Sequence, residues 1–300
     1  MTIQTWQQAL PHGITLSCRA AGERGRPVLV FLHGFPEAAF IWDELLEHFA
    51  QPAHGGYRCV APNLRGYEQS SQPAEVSAYR PKHLVQDLAA LARIEGQGEP
   101  LACLVAHDWG GAVAWNFANQ LPELTRRLAI INSPHPGTFL RALQTSAQQR
   151  EASSYMNFLV RPDAEQLLRE DGYRRLLGFF TRTGPAPWLT EELKARLRAL
   201  WDQCLTGGLN YYRASPLRPP REGDAAASAI TLPREMLTVD IPTLVLWGLQ
   251  DTALLPELVE GLDEYIPRLT LEKVADASHW IVHEQPQLVA QRLAAFLAVR

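Results

Sequence analysis

Short runs rich in β-branched and apolar residues recur along this chain of 300 residues, each followed by a helix-length amphipathic segment, but none occurs between 134 and 233. The runs are PVLVFLHG (27–34), YRCVAPN (57–63), LACLVAH (101–107), LAIINS (128–133), TLVLWG (243–248) and RLTLEKV (268–274). Parallel strands need a crossover between them, usually a helix, so strand runs at βα spacing predict a mostly parallel sheet with helices on both faces. A polar stretch near 4–19 predicts an antiparallel hairpin at one edge. In the gap the chain turns helical, as in DAEQLLREDGYRRLLGFF and LTEELKARLRALWDQC, and is broken by the proline-rich loops TGPAPW and SPLRPPREG. Because the sheet pattern resumes afterwards, the stretch reads as an insertion rather than a separate helical domain on a linker. Ligands in a doubly wound sheet bind at the carboxyl ends of the strands, so an insertion leaving there covers the site as a lid. The predicted organisation is an α/β core over 1–133 and 234–300, with a helical cap over 134–233.

The run LACLVAHDWGGAVAW (101–115) reads as a buried strand, a sharp turn and a helix, with Ala106, Gly110 and Gly111 around the turn. Small residues belong there because strand and helix approach closely at a strained bend that displays a nucleophile. The residue on display is Asp108, where a serine is usual. A serine must lose a proton before attacking, whereas a carboxylate with an ordinary pKa of ~3.9 is already an anion at neutral pH. A carboxylate suits attack on a saturated carbon that bears a strained or good leaving group. The ester so formed has its carbonyl on the protein, and water must then cleave it. The following helix's unpaired N–H groups and dipole favour the anion and any later oxyanion. The plainer alternative is that Asp108 caps that helix.

These residues, together with HGFPE (33–37), PNLRGY (62–67), AHDWGG (106–111), SPHP (133–136), GGLNYYR (207–213) and the later WGLQD and ASHW, resemble the epoxide hydrolases of the α/β-hydrolase fold. The resemblance covers nearly the whole chain. Haloalkane and haloacetate dehalogenases share the fold and the aspartate nucleophile. One departure is visible: Glu68 and Gln69 follow Tyr67 where the family usually continues RGYG, which bears on the loop's conformation more than on chemistry.

In this fold the order along the chain is nucleophile, acid, histidine, so the base should follow the last strand. His279 does. His283 falls in the run leading to the final helix, where a surface or capping role is expected. His12, His48, His54 and His83 lie in polar or loop contexts and are expected to be solvated, while His33 and His107 sit at strand ends as loop-ordering hydrogen-bonders. Asp251 directly follows the strand run 243–248 and would fix the tautomer of His279 and stabilise its cation. Its rivals are Asp276, close in sequence to His279, and an acid after the run 128–133, where the residue is Asn132 and not ionisable. The resemblance implies an oxyanion hole made by the backbone N–H groups of Trp109 and Phe35, whose fixed donors cost little reorganisation. A cis Phe35–Pro36 bond would help to aim that loop.

An epoxide oxygen departs as an alkoxide and needs an acid, whereas a halide departs stable and needs N–H donors. The resemblance places Tyr212 as the second ring-opening tyrosine and Tyr155 as the first; aromatic core packing is the other role open to any tyrosine. Tyr211, adjacent to Tyr212, would point about 100° away on a helix. The indole of Trp109 suits a halide, but the second side-chain donor that halide binding requires is not available from Phe35. A haloacetate enzyme would carry an arginine at the position of Trp109. Phe35, Trp109, Tyr155 and Tyr212 are the expected substrate contacts. Cap residues Phe139, Met156, Phe158, Leu159, Phe179, Phe180, Trp188 and Trp201 imply an apolar pocket. The expected reaction is hydrolysis of a small apolar epoxide to a vicinal diol without metal or organic cofactor. The alternatives are a haloalkane dehalogenase and a binding protein that uses the same pocket without turnover.

Composition narrows the partners. With 28 basic and 32 acidic residues the net charge is −4, which gives no reason to expect nucleic acid or an anionic membrane. The N-terminus lacks a basic region followed by an apolar stretch, so a cytoplasmic location is expected, and a homodimer is left open. Cys18, Cys59, Cys103 and Cys204 have no paired spacing and are expected to be buried free thiols.

Overall fold

The computed structural model describes residues 2–299. Eight strands form one sheet: β1 Gln4–Ala9, β2 Thr15–Ala21, β3 Val28–Leu32, β4 Arg58–Pro62, β5 Cys103–His107, β6 Leu128–Ile131, β7 Thr243–Gly248 and β8 Leu269–Val274. Their spatial order is β1-β2-β4-β3-β5-β6-β7-β8. From β4 to β8 all neighbours are parallel, and β2 is antiparallel to both β1 and β4, as the alternating polar hairpin at the start predicts. Every residue of β3, β4, β5, β6 and β7 is buried, because those strands are covered on both faces.

Ten α-helices accompany them: α1 Asp43–Ala50, α2 Pro81–Gly96, α3 Trp109–Gln120, α4 Pro136–Thr145, α5 Ala147–Ala152, α6 Tyr155–Leu159, α7 Ala164–Phe180, α8 Glu191–Ala214, α9 Ile281–Glu284 and α10 Pro286–Ala298. The chain steps one way from β3 to β4 and the other way from β4 to β5. Right-handed crossovers therefore put α1 on one face and α2 and α3 on the other, and α1 packs with α10 while α2 packs with α3. The direction reverses around β3, so the loops leaving β3 and β5 stand side by side at the carboxyl edge of the sheet. That is where a doubly wound sheet opens a crevice.

Between β6 and β7 the described chain contains helices α4 to α8 and short 3₁₀ turns but no sheet strand. Two helices in this segment are interrupted by residues with non-helical backbone. The run 163–180 is interrupted at Asp171, Gly172 and Tyr173, with φ of 52°, 63° and 67°. Gly172 makes such a break accessible, and the buried Tyr173 holds it by donating to Asp202 at 2.6 Å. The helix that contains LTEELKARLRALWDQC kinks at Cys204 and continues to Ala214, carrying the pair Tyr211 and Tyr212 on its second half. All four cysteines are buried and free, and burial pushes the thiols of Cys103 and Cys204 up to about 12. No helix among the described residues is long and apolar enough to cross a membrane.

Candidate active site

Asp108 stands between β5 and α3 with φ 50° and ψ −123°, a conformation that costs energy for a residue with a side chain. Its surroundings hold it there: the Ser133 hydroxyl donates to the Asp108 carbonyl at 2.6 Å. A Cβ on Gly110 would meet the carbonyl oxygens of Leu32 and His33 at 2.6 Å, so the close approach of α3 to β3 admits only glycine. On the facing loop, a Cβ on Gly34 would lie 2.2 Å from Asp108 Oδ1. The Asp108 carboxylate does not cap α3. It turns across the crevice, where Oδ1 accepts the Phe35 N–H at 2.7 Å. Phe35 precedes a cis Phe35–Pro36 bond. Burial raises the Asp108 carboxyl above its ordinary value, and His279 and the N–H groups of Trp109 and Phe35 oppose that rise.

His279 follows β8 and faces the same carboxylate, with Nε2 3.6 Å from Asp108 Oδ2. Its Nδ1 lies 2.7 Å from Asp251 Oδ2. Asp251 is buried and filled with donors: Asn132 Nδ2 reaches Oδ2 at 2.9 Å, and the N–H groups of Ala253 and Leu254 reach Oδ1 at 2.9 Å each. Burial opposes the His279 cation, but the adjacent Asp251, with Asp108 behind it, outweighs burial and raises the imidazole to about 9. Asp276 is exposed and takes no part. His107 is buried with Nε2 2.9 Å from the His279 carbonyl, and burial lowers its pKa well below normal. The neutral ring thus orders the loop that carries His279. His33 accepts the Leu64 N–H at 3.1 Å on Nε2 and orders the loops after β3 and β4 in the same way.

Two cavities meet over Asp108. One, of about 110 Å³, runs between α3 and the helical segment past Phe139 and Met156. The other, of about 50 Å³, passes Phe179, His279 and Trp280. Asp108, Tyr155 and Tyr212 line both. The two phenol rings lie edge to face, centroids 6.2 Å apart, and Tyr212 also meets Phe35 at 5.2 Å and Trp109 at 5.0 Å. Burial, reinforced by the nearby Asp108 charge, raises both phenols far above their ordinary pKa, so they remain protonated donors. Tyr211 points elsewhere and donates to the Arg65 carbonyl at 2.9 Å.

Several side chains sit differently from the sequence reading. His283 is neither a cap nor a surface group: its Nε2 lies 2.6 Å from the buried Glu37 carboxylate, and its ring stacks on Trp188 with centroids 4.4 Å apart. His12 is not free in solvent but contacts Asp87 at 2.6 Å, beside the buried Arg65–Asp87 pair. His54 is exposed, and His48, stacked on it at 3.8 Å, and His83 are partly so. Of the eight apolar residues expected to form a cap pocket, Phe139, Met156 and Phe179 line the cavities. The others pack: Phe180 lies against Trp280 at 4.3 Å, and Trp201 donates to the Pro36 carbonyl at 2.6 Å. Glu68 takes a positive φ of 44° and accepts from Asn63 at 2.9 Å, while Gln69 donates to Gln203 of α8 at 3.2 Å, so the departing pair joins loop to helical segment.

The sequence profile of the alpha/beta hydrolase fold matches residues 27–286. Mouse epoxide hydrolase 4 is 32% identical over 95% of this chain and 77% of its own length. The chain belongs to the α/β-hydrolase-fold epoxide hydrolases. The AB hydrolase superfamily protein YfhM of Bacillus subtilis (strain 168) is 35% identical over 95% of both chains. A solved structure of a novel epoxide hydrolase from metagenomes of hot environments superposes with a TM-score of 0.87 at 38% identity, covering 100% of each chain. Within this epoxide hydrolase family member, sequence reasoning gave no role to Asn132, Ser133 or Glu37. Asn132 was noticed only as a residue unable to ionise; its place at the end of β6, next to β7, was the available signal, since it puts an amide beside whatever follows β7.

Proposed function

We propose that this protein hydrolyses epoxides to vicinal diols through an ester on Asp108. The observation that carries the reading is the placement of two protonated phenols, Tyr155 and Tyr212, in both cavities that contain the Asp108 carboxylate. Oδ1 is engaged by Phe35 N–H, so Oδ2 attacks an epoxide carbon; the C–O bond breaks, the alkoxide takes a proton from one phenol to become a hydroxyl, and that phenolate recovers the proton that the resting His279 cation gives up. The ester carbonyl is then Oδ1, already at the N–H donors of Phe35 and Trp109. His279 takes a proton from water, the hydroxide adds to Cγ, and the tetrahedral oxyanion forms on Oδ1 where those donors lie. Collapse expels the diol oxygen, which takes the proton back from His279, and the Asp108 carboxyl then passes its own proton to the imidazole, restoring the resting ion pair.

The charge arrangement orders the two halves. In the resting enzyme, Asp108 and Asp251 both hold His279 protonated, with its pKa raised to about 9. Forming the ester removes the Asp108 charge and with it one of the two supports of the cation. The imidazole releases its proton more readily at the step that needs a base. The helical segment 134–233 serves as the cap: it supplies both phenols and covers the junction of the cavities. A haloalkane would meet the same nucleophile, but phenols match a developing alkoxide, and the neighbourhood of Phe35 supplies its N–H to Asp108 itself.

Single-turnover hydrolysis of styrene oxide in heavy-oxygen water, with enzyme in excess, tests this. The diol should carry no label and Asp108 should carry it. Label in the diol on the first turnover would remove the ester, and halide release from bromoalkanes without diol formation from epoxides would make the leaving group a halide.

A further inference from the structure

The two cavities that meet at Asp108 are chemically unlike, and the difference bears on the substrate class of the proposed reaction, on which this inference rests. The larger one offers its occupant almost no polar partner. Its polar side chains other than Asp108 and the two tyrosines are Trp109, Asn116, Ser133 and Ser215: the Trp109 indole is engaged by Tyr212, and the other three by backbone, Asn116 donating to Ala112 O at 2.8 Å, Ser133 to Asp108 O at 2.6 Å, and Ser215 accepting from Leu217 N at 3.2 Å. The smaller one opens to solvent between Arg182, Thr183 and Thr252, all exposed. Apart from the protonated His279, Arg182 is its cation. Most arginines of this chain are tied to a carboxylate or a carbonyl; Arg182 has neither among the described residues, and it faces Tyr155, whose raised pKa it opposes. The two anions nearby are already matched: Asp251 has its four donors, and Asp108 faces His279 and the Phe35 N–H.

We infer that the preferred substrates are disubstituted epoxides with an apolar arm in the larger cavity and a short arm ending in a carboxylate that reaches Arg182 at the mouth of the smaller one. The volume of that cavity, about 50 Å³, limits the arm to one or two carbons. An unpartnered guanidinium presents a planar fork of N–H donors to such a group. Because Arg182 is exposed, the gain is that of a solvent-accessible ion pair, about fivefold in kcat/KM, and salt screens it.

The probes are a trans phenyl-substituted oxirane bearing a carboxymethyl arm and its primary amide, which has the same shape without the charge. The native enzyme should prefer the carboxylate about fivefold at low ionic strength, and the ratio should shrink toward unity at high salt. Arg182→Gln should abolish the ratio and Arg182→Lys should keep most of it; using the ratio cancels any general loss that either change causes. No preference in the native enzyme, or a preference that survives in Arg182→Gln, overturns the inference. Failure to turn over either probe or styrene oxide would instead strike at epoxide hydrolysis itself.

Discussion

In the proposed reaction Tyr155 and Tyr212 distinguish an epoxide from any other electrophile that a carboxylate attacks, so their removal should have different consequences at different steps. Replacing either with Phe keeps the ring contacts around Phe35 and Trp109 but takes away one donor to the departing oxygen. Each change should lower the rate of ester formation by about 10²-fold, the low end of general-acid assistance, because the other phenol remains. Loss of both should exceed 10³-fold, and stopped-flow quenching of tryptophan fluorescence reads the step directly. Equal effects on ester formation and ester decay would remove the tyrosines from the ring-opening role. His279→Gln acts on the other half: the ester should form and persist, visible as a mass increase equal to the epoxide on the peptide holding Asp108. The pH profile separates the two groups as well. Asp108 must be ionised to attack and burial raises its pKa, so ester formation should fall on the acid side at a pH above the ordinary carboxylate range. Ester decay needs neutral His279 and should fall as pH drops below an imidazole pKa lower than the resting value of about 9, since the Asp108 charge has been consumed.

At the scale of elements, what was legible in the sequence was whatever local patterning decides. The six strand runs coincide with β3 to β8: β3 to β7, covered on both faces, read as continuous apolar runs, while β8 lies at the sheet edge and is only partly buried, and the elbow was marked by its small residues. Asp251 and His279 could be chosen by their place after β7 and β8. Burial created by distant segments was not legible. His283 looked like part of a helix start, yet α9 is only four residues long and the imidazole turns inward to Glu37, which lies 246 residues earlier in the chain. The apolar residues of the helical segment were equally opaque, since one apolar composition serves both the cavity wall and the packing around Trp280. The Glu37–His283 pair ties α9 to the loop after β3 and, through Trp188, to the loop between α7 and α8. His283→Ala would leave the Glu37 carboxylate buried without its partner, and breaking a buried pair in this way costs about 3–5 kcal/mol. Urea unfolding should show that loss, and the double replacement Glu37→Gln with His283→Leu should recover much of it. A loss under about 1 kcal/mol would mean that the pair holds nothing together.

For the whole molecule, the site proposed to carry the chemistry also couples stability to pH. His279 folds into a place where its pKa rises from 6.5 to about 9, so the folded state binds its proton more tightly than the unfolded chain does. The stabilisation is therefore complete below the unfolded value of 6.5 and is lost as pH climbs through about 9. From the size of the shift the total is about 3 kcal/mol. His283 is raised too, by Glu37 against the burial that opposes it, and adds in the same sense. Unfolding free energies from urea titrations at pH 6 and pH 10 should thus fall for the native protein, and fall less for His279→Gln, with the difference between the two curves isolating the His279 share. If the two curves run parallel, the imidazole is not held as a cation in the resting protein, and the release of its proton on ester formation would no longer order the two half-reactions.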